Sequence, residues 1–296
     1  MVTSITSNSI TDGQKKQIKR FMEDAADRVF NDGVLDKDGA QELISNGDKL
    51  QFRVIEVIRE LSIPNEFANE EVRAACYPKE YKGPKPIEQQ IKAIAEIFGL
   101  DPALALEYVK NLPVLPEGAE GWFAIPSVDA LDKKHLPEIT DPAEKYCRAL
   151  KFVHQKVAAS RLFSSNVQNI DTAHIKVSAR TMEKMNQIAA QQKGDILIIA
   201  AQLGKRHGGR SVRRARKVFV TNEYGLTSVA GGSIALVHPE RFVRFEDLSM
   251  DMAGDEFSED GDGFFGRAPC FGEAGFGTGD DSSVYGGFGS ASGFVS

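Results

Sequence analysis

The chain has 296 residues, of which 42% are hydrophobic and 26% charged, and it carries a formal net charge of -6 at pH 7. It is long enough to bury a full core and too apolar to be disordered throughout. Cys76, Cys147 and Cys270 are odd in number and widely spaced, which excludes a disulfide framework and a paired CxxC metal motif.

The opening MVTSITSNSITDGQKK has neither a basic stretch nor an unbroken apolar run, so no secretory leader is expected. Ile18, Phe21, Met22, Ala25, Val29 and Phe30 recur at helical spacing and predict an amphipathic helix that stops at Asn31, Asp32 and Gly33. A short helix restarts at Lys37. Residues 50–61, with Val54, Ile55, Val57, Ile58 and Leu61, read as a mostly buried helix ended by Pro64. The run YPKEYKGPKP is a turn-rich connector. Pro86 then opens a helix striped by Ile87, Ile91, Ile94 and Phe98 and capped by Gly99, and Asp101 with Pro102 starts another through Val109.

Residues 111–140 hold four prolines, two glycines and the only tryptophan, and read as an extended connector or irregular strand region anchored by Trp122, Phe123 and Ile125. Asp141, Pro142 and Glu144 put an N-cap acceptor, a fixed φ and a first-turn carboxylate in register for a helix over 142–160, with Cys147, Leu150, Val153 and Val157 inward. A further helix is expected over 179–192. After Gly194 the period changes. A buried strand competes with a helical turn for residues 196–200, and 217–221 and 233–237 have the residue types of strands. The fold class expected is α+β, predominantly helical, with a small mixed sheet in the second half and an irregular Gly-rich C-terminal extension. The corresponding divisions are a helical subdomain (1–111), a helix plus small-sheet subdomain (112–245) and an acidic Gly/Phe-rich extension (246–296).

That extension holds twelve glycines, seven phenylalanines and eleven acidic residues against Arg267 alone, so residues 1–245 carry a small positive excess. It has no helix or strand period, and irregular backbone with Phe264, Phe265 and Phe271 docked on the body is expected.

The densest chemistry lies in KRHGGRSVRRARK. Lys205, Arg206, Arg210, Arg213, Arg214, Arg216 and Lys217 put seven fixed cations in thirteen residues, with His207 titratable among them. Arginine forks match phosphate oxygens, so the expected partner is a polyanion, RNA or DNA, bound with little sequence readout and in competition with the acidic tail. The competing readings are internal neutralisation by the chain's own carboxylates, a structural or protein-interaction module in a homo- or hetero-assembly, and an enzyme whose site is distributed along the sequence. Other motifs fail on spacing. QLGKRHGG lacks the phosphate-loop pattern, and DEFSEDGDG read as a calcium loop puts Ser258 at the first ligand position and Pro269 at the twelfth. Cys147 and His154 share a helical face, but two ligands do not make a zinc site and nothing nearby activates a thiol. No cofactor, no metal and no membrane span is expected, and the setting expected is the reducing cytoplasm.

Overall fold

The computed structural model describes residues 10–33, 35–62, 66–136, 139–167, 169–272 and 275–295. The chain divides into two compact units, Met1–Ser62 and Ile63–Ser296. In the first, α1 (Asp12–Asn31) starts at Thr11, whose hydroxyl accepts from the Gln14 N–H while the Gln14 side chain accepts from the Thr11 N–H, a reciprocal cap. Helices α2 (Lys37–Ser45) and α3 (Gly47–Ser62) follow. The apolar stripe legible in the sequence is present, yet Phe21, Phe30, Ile44 and Leu61 are exposed.

The second unit is built on helices α4 (Ile87–Phe98), α5 (Ala103–Tyr108), α6 (Val128–His135), α7 (Pro142–Ser160), α8 (Ala179–Gln192), α9 (Val212–Val218) and α10 (Ser228–Val237). Its strands are β1 (Gly121–Pro126), β2 (Ser164–Ser165), β3 (Ile175–Val177), β4 (Ile196–Gln202), β5 (Glu223–Gly225), β6 (Ser249–Met252), β7 (Asp255–Phe257), β8 (Arg267–Phe271), β9 (Gly275–Asp280) and β10 (Phe288–Phe294). They form one connected mixed sheet in the order β1-β4-β10-β6-β8-β7-β3, with β5 beside β10, β9 beside β8 and β2 beside β9. Strand β10 is the hinge of this order. Its first half pairs parallel with β6, and its second half is held antiparallel by β4 on one side and β5 on the other.

Several helices obey their local signals. Asp141 accepts from the Glu144 N–H at 3.0 Å with Pro142 in the first turn of α7, and Gly99 closes α4 in the left-handed conformation. Ile91, Ile94 and Phe98 of α4 and Leu150, Val153 and Val157 of α7 enter one core with Phe123, Ile125 and residues 196–199 of β4, a strand buried along its whole length. Each such side chain contributes about 1.5–3 kcal/mol by leaving water.

The expectation of a predominantly helical molecule with a small sheet is corrected: among the described residues there are ten α-helices and ten strands, and all ten strands join one mixed sheet in the second unit. The irregular C-terminal extension is corrected with it, because five of the ten strands lie within residues 249–294. Its glycines serve close packing: a Cβ on Gly293 would stand 2.4 Å from the Tyr224 ring. Phe271 is fully buried and Phe264 is exposed, while Phe265 lies under the Lys176 ammonium, 3.8 Å from ring centroid to Nζ. Two smaller expectations also give way. Of residues 217–221, read as a strand, 217 and 218 end helix α9, which Ser211 caps by accepting from the Arg214 N–H, and 219–221 are neither helix nor strand; residues 233–237 belong to α10, which Thr227 caps. At 217–218 and 233–237 a cap several residues upstream outweighs the preference of the residue types for extended backbone.

Candidate polar ligand site

The basic segment leads to the site. Its backbone runs from Gly204 past the end of β4 into α9, and Glu71 and Arg210 form an antiparallel bridge, with the Val72 N–H donating to the Gly209 carbonyl at 2.8 Å. Gly209 has φ +75°, and a Cβ there would sit 2.0 Å from the Val72 carbonyl oxygen, so only glycine lets these two stretches touch.

That approach brings carboxylates to the cations. Arg213 forms a two-pronged bond with Glu70, its Nε at 2.9 Å from Oε2, and the Ser211 hydroxyl donates to the same carboxylate at 2.6 Å. Arg213 and Ser211 together outweigh burial and hold Glu70 below the usual carboxylate range. Arg210 and Arg214 share Glu71 at 3.1 and 3.0 Å, and Lys217 reaches Glu66 at 2.7 Å. Arg206 stands 3.5 Å from Glu223, and Arg216 stands 3.5 Å from Asp281. Six of the seven cations singled out in the sequence are thus ion-paired, mostly by residues 66–71, with Asp281 the one acidic-tail residue among these partners. Lys205 is exposed.

Behind the segment lies a fully buried polar network. Glu223 Oε1 takes the Ser292 hydroxyl at 2.6 Å and lies 2.8 Å from His207 Nε2, and the Gln202 amide donates to Ser292 at 2.9 Å. Burial alone would raise the Glu223 carboxyl, but His207, Arg206 and Ser292 outweigh it and hold it low. His207 Nδ1 is 3.4 Å from Arg210 Nη1. Arg210 is therefore held at Nε by Glu71 and at one Nη by His207, a guanidinium with fixed orientation.

Arg210 forms part of the wall of a cavity of about 390 Å³. Strand register supplies the rest. Asp251 on β6 stands directly opposite Cys270 on β8, and Arg267 on β8 stands opposite Asp280 on β9, so each pair shares a face with side chains about 5 Å apart. Thr278, Ser283 and Tyr285 bring hydroxyls to the same space, and Phe288 and Val212 bring carbon.

Asp251 is the unusual member. It is 9% exposed, and its carboxylate accepts no hydrogen bond from another described residue. Burial pushes it up to about 7, against the pull of Arg216. Arg216 does not bond it, because its Nε and one Nη donate to the backbone carbonyls of Ala253 at 3.0 Å and Asp255 at 2.7 Å. Arg267 bonds Glu259 at 2.6 Å, while its buried Nε–H has no acceptor. Cys270 is pushed up to about 12, chiefly by burial, which leaves a neutral thiol and no nucleophile at neutral pH.

Sequence reading found Arg210 and missed the remainder. Asp251, Arg267 and Asp280 lie in the stretch read as irregular, and their convergence follows from strand pairing. The other sequence candidates stay apart from this site. Cys147 is pushed up to about 12, and His154 on the same helix is wrapped by the rings of Phe163, Phe271 and Phe276 and pushed down to about 4, so the two are packing residues. No helix among the described residues is long and apolar enough to cross a membrane. No protein-family model matches the chain, and no curated protein or solved structure is significantly similar to it.

Proposed function

We propose that the chain binds a small zwitterionic molecule, an amine-bearing carboxylate of amino-acid class, in the cavity formed by Arg210, Asp251, Arg267 and Asp280. The observation that carries this reading is Asp251, a buried carboxylate without a hydrogen bond at a cavity large enough for a small ligand. An ammonium group satisfies Asp251, and a carboxylate satisfies the buried Arg267 Nε–H. The protein groups carry both signs, which disfavours a multiply charged anion and favours a ligand that also carries both.

Polyanion binding by residues 205–217 is the weaker proposal. A nucleic acid has to displace Glu66, Glu70 and Glu71 from cations they already hold, at distances from 2.7 to 3.1 Å where Lys217, Arg210 and Arg214 are concerned. A protein partner or self-association through the same segment meets the same obstacle.

The test is isothermal titration calorimetry against amino acids, simple amines, simple carboxylates, polyols and short single-stranded RNA and DNA, with the full chain and with Asp251→Asn and Arg267→Gln. The expected result is saturable binding of at least one amino acid, weakened about tenfold or more in each variant, which is a loss of about 1.4 kcal/mol. Binding of nucleic acid alone, or amino-acid binding indifferent to both variants, overturns the reading.

A further inference from the structure

A second cavity, of about 200 Å³, lies elsewhere in the same unit, between α6, the first turns of α7, β3, α8 and β4. Its walls are mostly carbon, with Ser127 and Asn186 as uncharged polar residues among them: Ile175 and Leu197 are buried, Met185 is half-buried, and Met182 is 41% exposed at the mouth. We infer that this pocket is a binding site for a small neutral aromatic molecule of one or two rings.

The polar groups at its floor argue for neutrality, because their partners are internal. The Tyr146 hydroxyl donates to Asp255 Oδ2 at 2.5 Å and accepts from the Ser228 N–H at 3.1 Å, and Thr227 caps α10 by accepting from the Ala230 N–H at 3.3 Å. The cations at the rim are matched as well. Lys145 lies 3.0 Å from Asp132 and 3.8 Å from Asp129, and Lys176 lies 3.1 Å from Glu256. An ionic ligand would lose its hydration here and meet no unmatched charge, whereas a neutral apolar one loses little.

Size and wall chemistry name the class. An apolar cavity of about 150 Å³ suffices for benzene, so this one takes a substituted single ring or a fused pair. Two methionines and the Tyr146 ring line it. Thioether sulfur attracts aromatic rings, and methionine's flexible side chain closes over a flat guest. An aliphatic chain gains the burial without the sulfur contact, which is why an aromatic is the occupant. The site shares no lining residue with the polar cavity and does not depend on its ligand.

The experiment is a titration of the full chain, labelled with carbon-13 at its methionine methyls, with indole and with 1-hexanol. Indole is expected to move the Met182 and Met185 methyl signals upfield, saturably, through its ring current, and to bind more tightly than hexanol. Ala189→Phe fills the pocket and abolishes the shifts. Met182→Glu, at an exposed position where folding is not at risk, places a charge at the mouth and weakens indole about tenfold or more. Methyl signals unmoved by indole, shifts that persist in both variants, or tighter binding of hexanol overturns the inference.

Discussion

Replacing Asp251 by Asn tests whether the cavity holds a carboxylate against the interest of stability. The folded state raises this group from the ordinary 3.8 to about 7, so the folded protein binds a proton that the unfolded chain has released at intermediate pH. Stability is therefore lost as pH rises between about 4 and 7 and stays low above that range, and three pH units at about 1.36 kcal/mol each make the penalty about 4 kcal/mol. Asn is nearly isosteric and cannot ionise. Urea unfolding of the two proteins in parallel from acid to mildly alkaline pH isolates the term, because other titrating groups cancel in the difference. The variant is expected to gain on the parent by up to about 1.4 kcal/mol per pH unit, reaching a plateau near pH 7. A difference that stays flat across this range would falsify the claim that Asp251 is buried without a compensating partner. A variant less stable than the parent at every pH refutes it equally, since that result requires a hydrogen bond to the carboxylate.

Three other outcomes are expected. Gly209→Ala forces a side chain into a left-handed backbone position and against the Val72 carbonyl, so it lowers the unfolding free energy by about 2 kcal/mol or more; a neutral effect in chemical denaturation contradicts the bridge between residues 71 and 210. The double change Glu70→Gln and Glu71→Gln removes the two negative charges paired with Arg210, Arg213 and Arg214, and the variant is retained to higher salt on a heparin column than the parent; identical elution means these carboxylates do not mask the segment. His154 and His238 are each pushed down to about 4 by burial, so their contribution is present above the unfolded value of 6.5 and is lost as pH falls toward 4. His154→Leu removes up to about 3 kcal/mol of that acid sensitivity, read from the slope of stability against pH, and an unchanged slope counts against the buried neutral imidazole.

What the sequence made legible was the information written within one helical turn. The stripe of Ile91, Ile94 and Phe98 and the Asp141 and Pro142 start of α7 each act on their own neighbours, and each became the helix it announced, whereas the apolar run at 196–200 was compatible with a strand or a helical turn and is a strand. The sheet beyond β4 depends on partners far away. Residues 292–294 find a place because β4 and β5, about ninety and seventy residues earlier, present a matching register on both sides. No local period in GSASGF records that arrangement, and glycine content points toward disorder until the Tyr224 ring against Gly293 supplies the reason for a missing side chain. The basic segment was visible as charge, while its neutralisation was not, because Glu70 and Glu71 lie about 140 residues upstream in an unremarkable stretch.

Asp251 gains weight as a functional residue from what surrounds it. Its segment of the fold is rich in guanidinium groups, so a lack of cations does not explain its want of a partner. Arg216 is near enough to lower its proton affinity, yet two of its donors are committed to the Ala253 and Asp255 carbonyls, and its remaining Nη faces Asp281. Those carbonyls belong to the turn after β6 and to the first residue of β7, so the guanidinium braces the backbone that follows Asp251 and leaves the carboxylate itself open. Arg210, which lines the same cavity, is likewise held by Glu71 and His207. A structure selected for stability alone would swing either arginine onto the buried acid, since an unmatched carboxylate costs more than an exposed guanidinium. Fixing both arginines elsewhere keeps one acceptor ready inside a walled space, and readiness of that kind has an advantage only when a donor arrives from outside the chain.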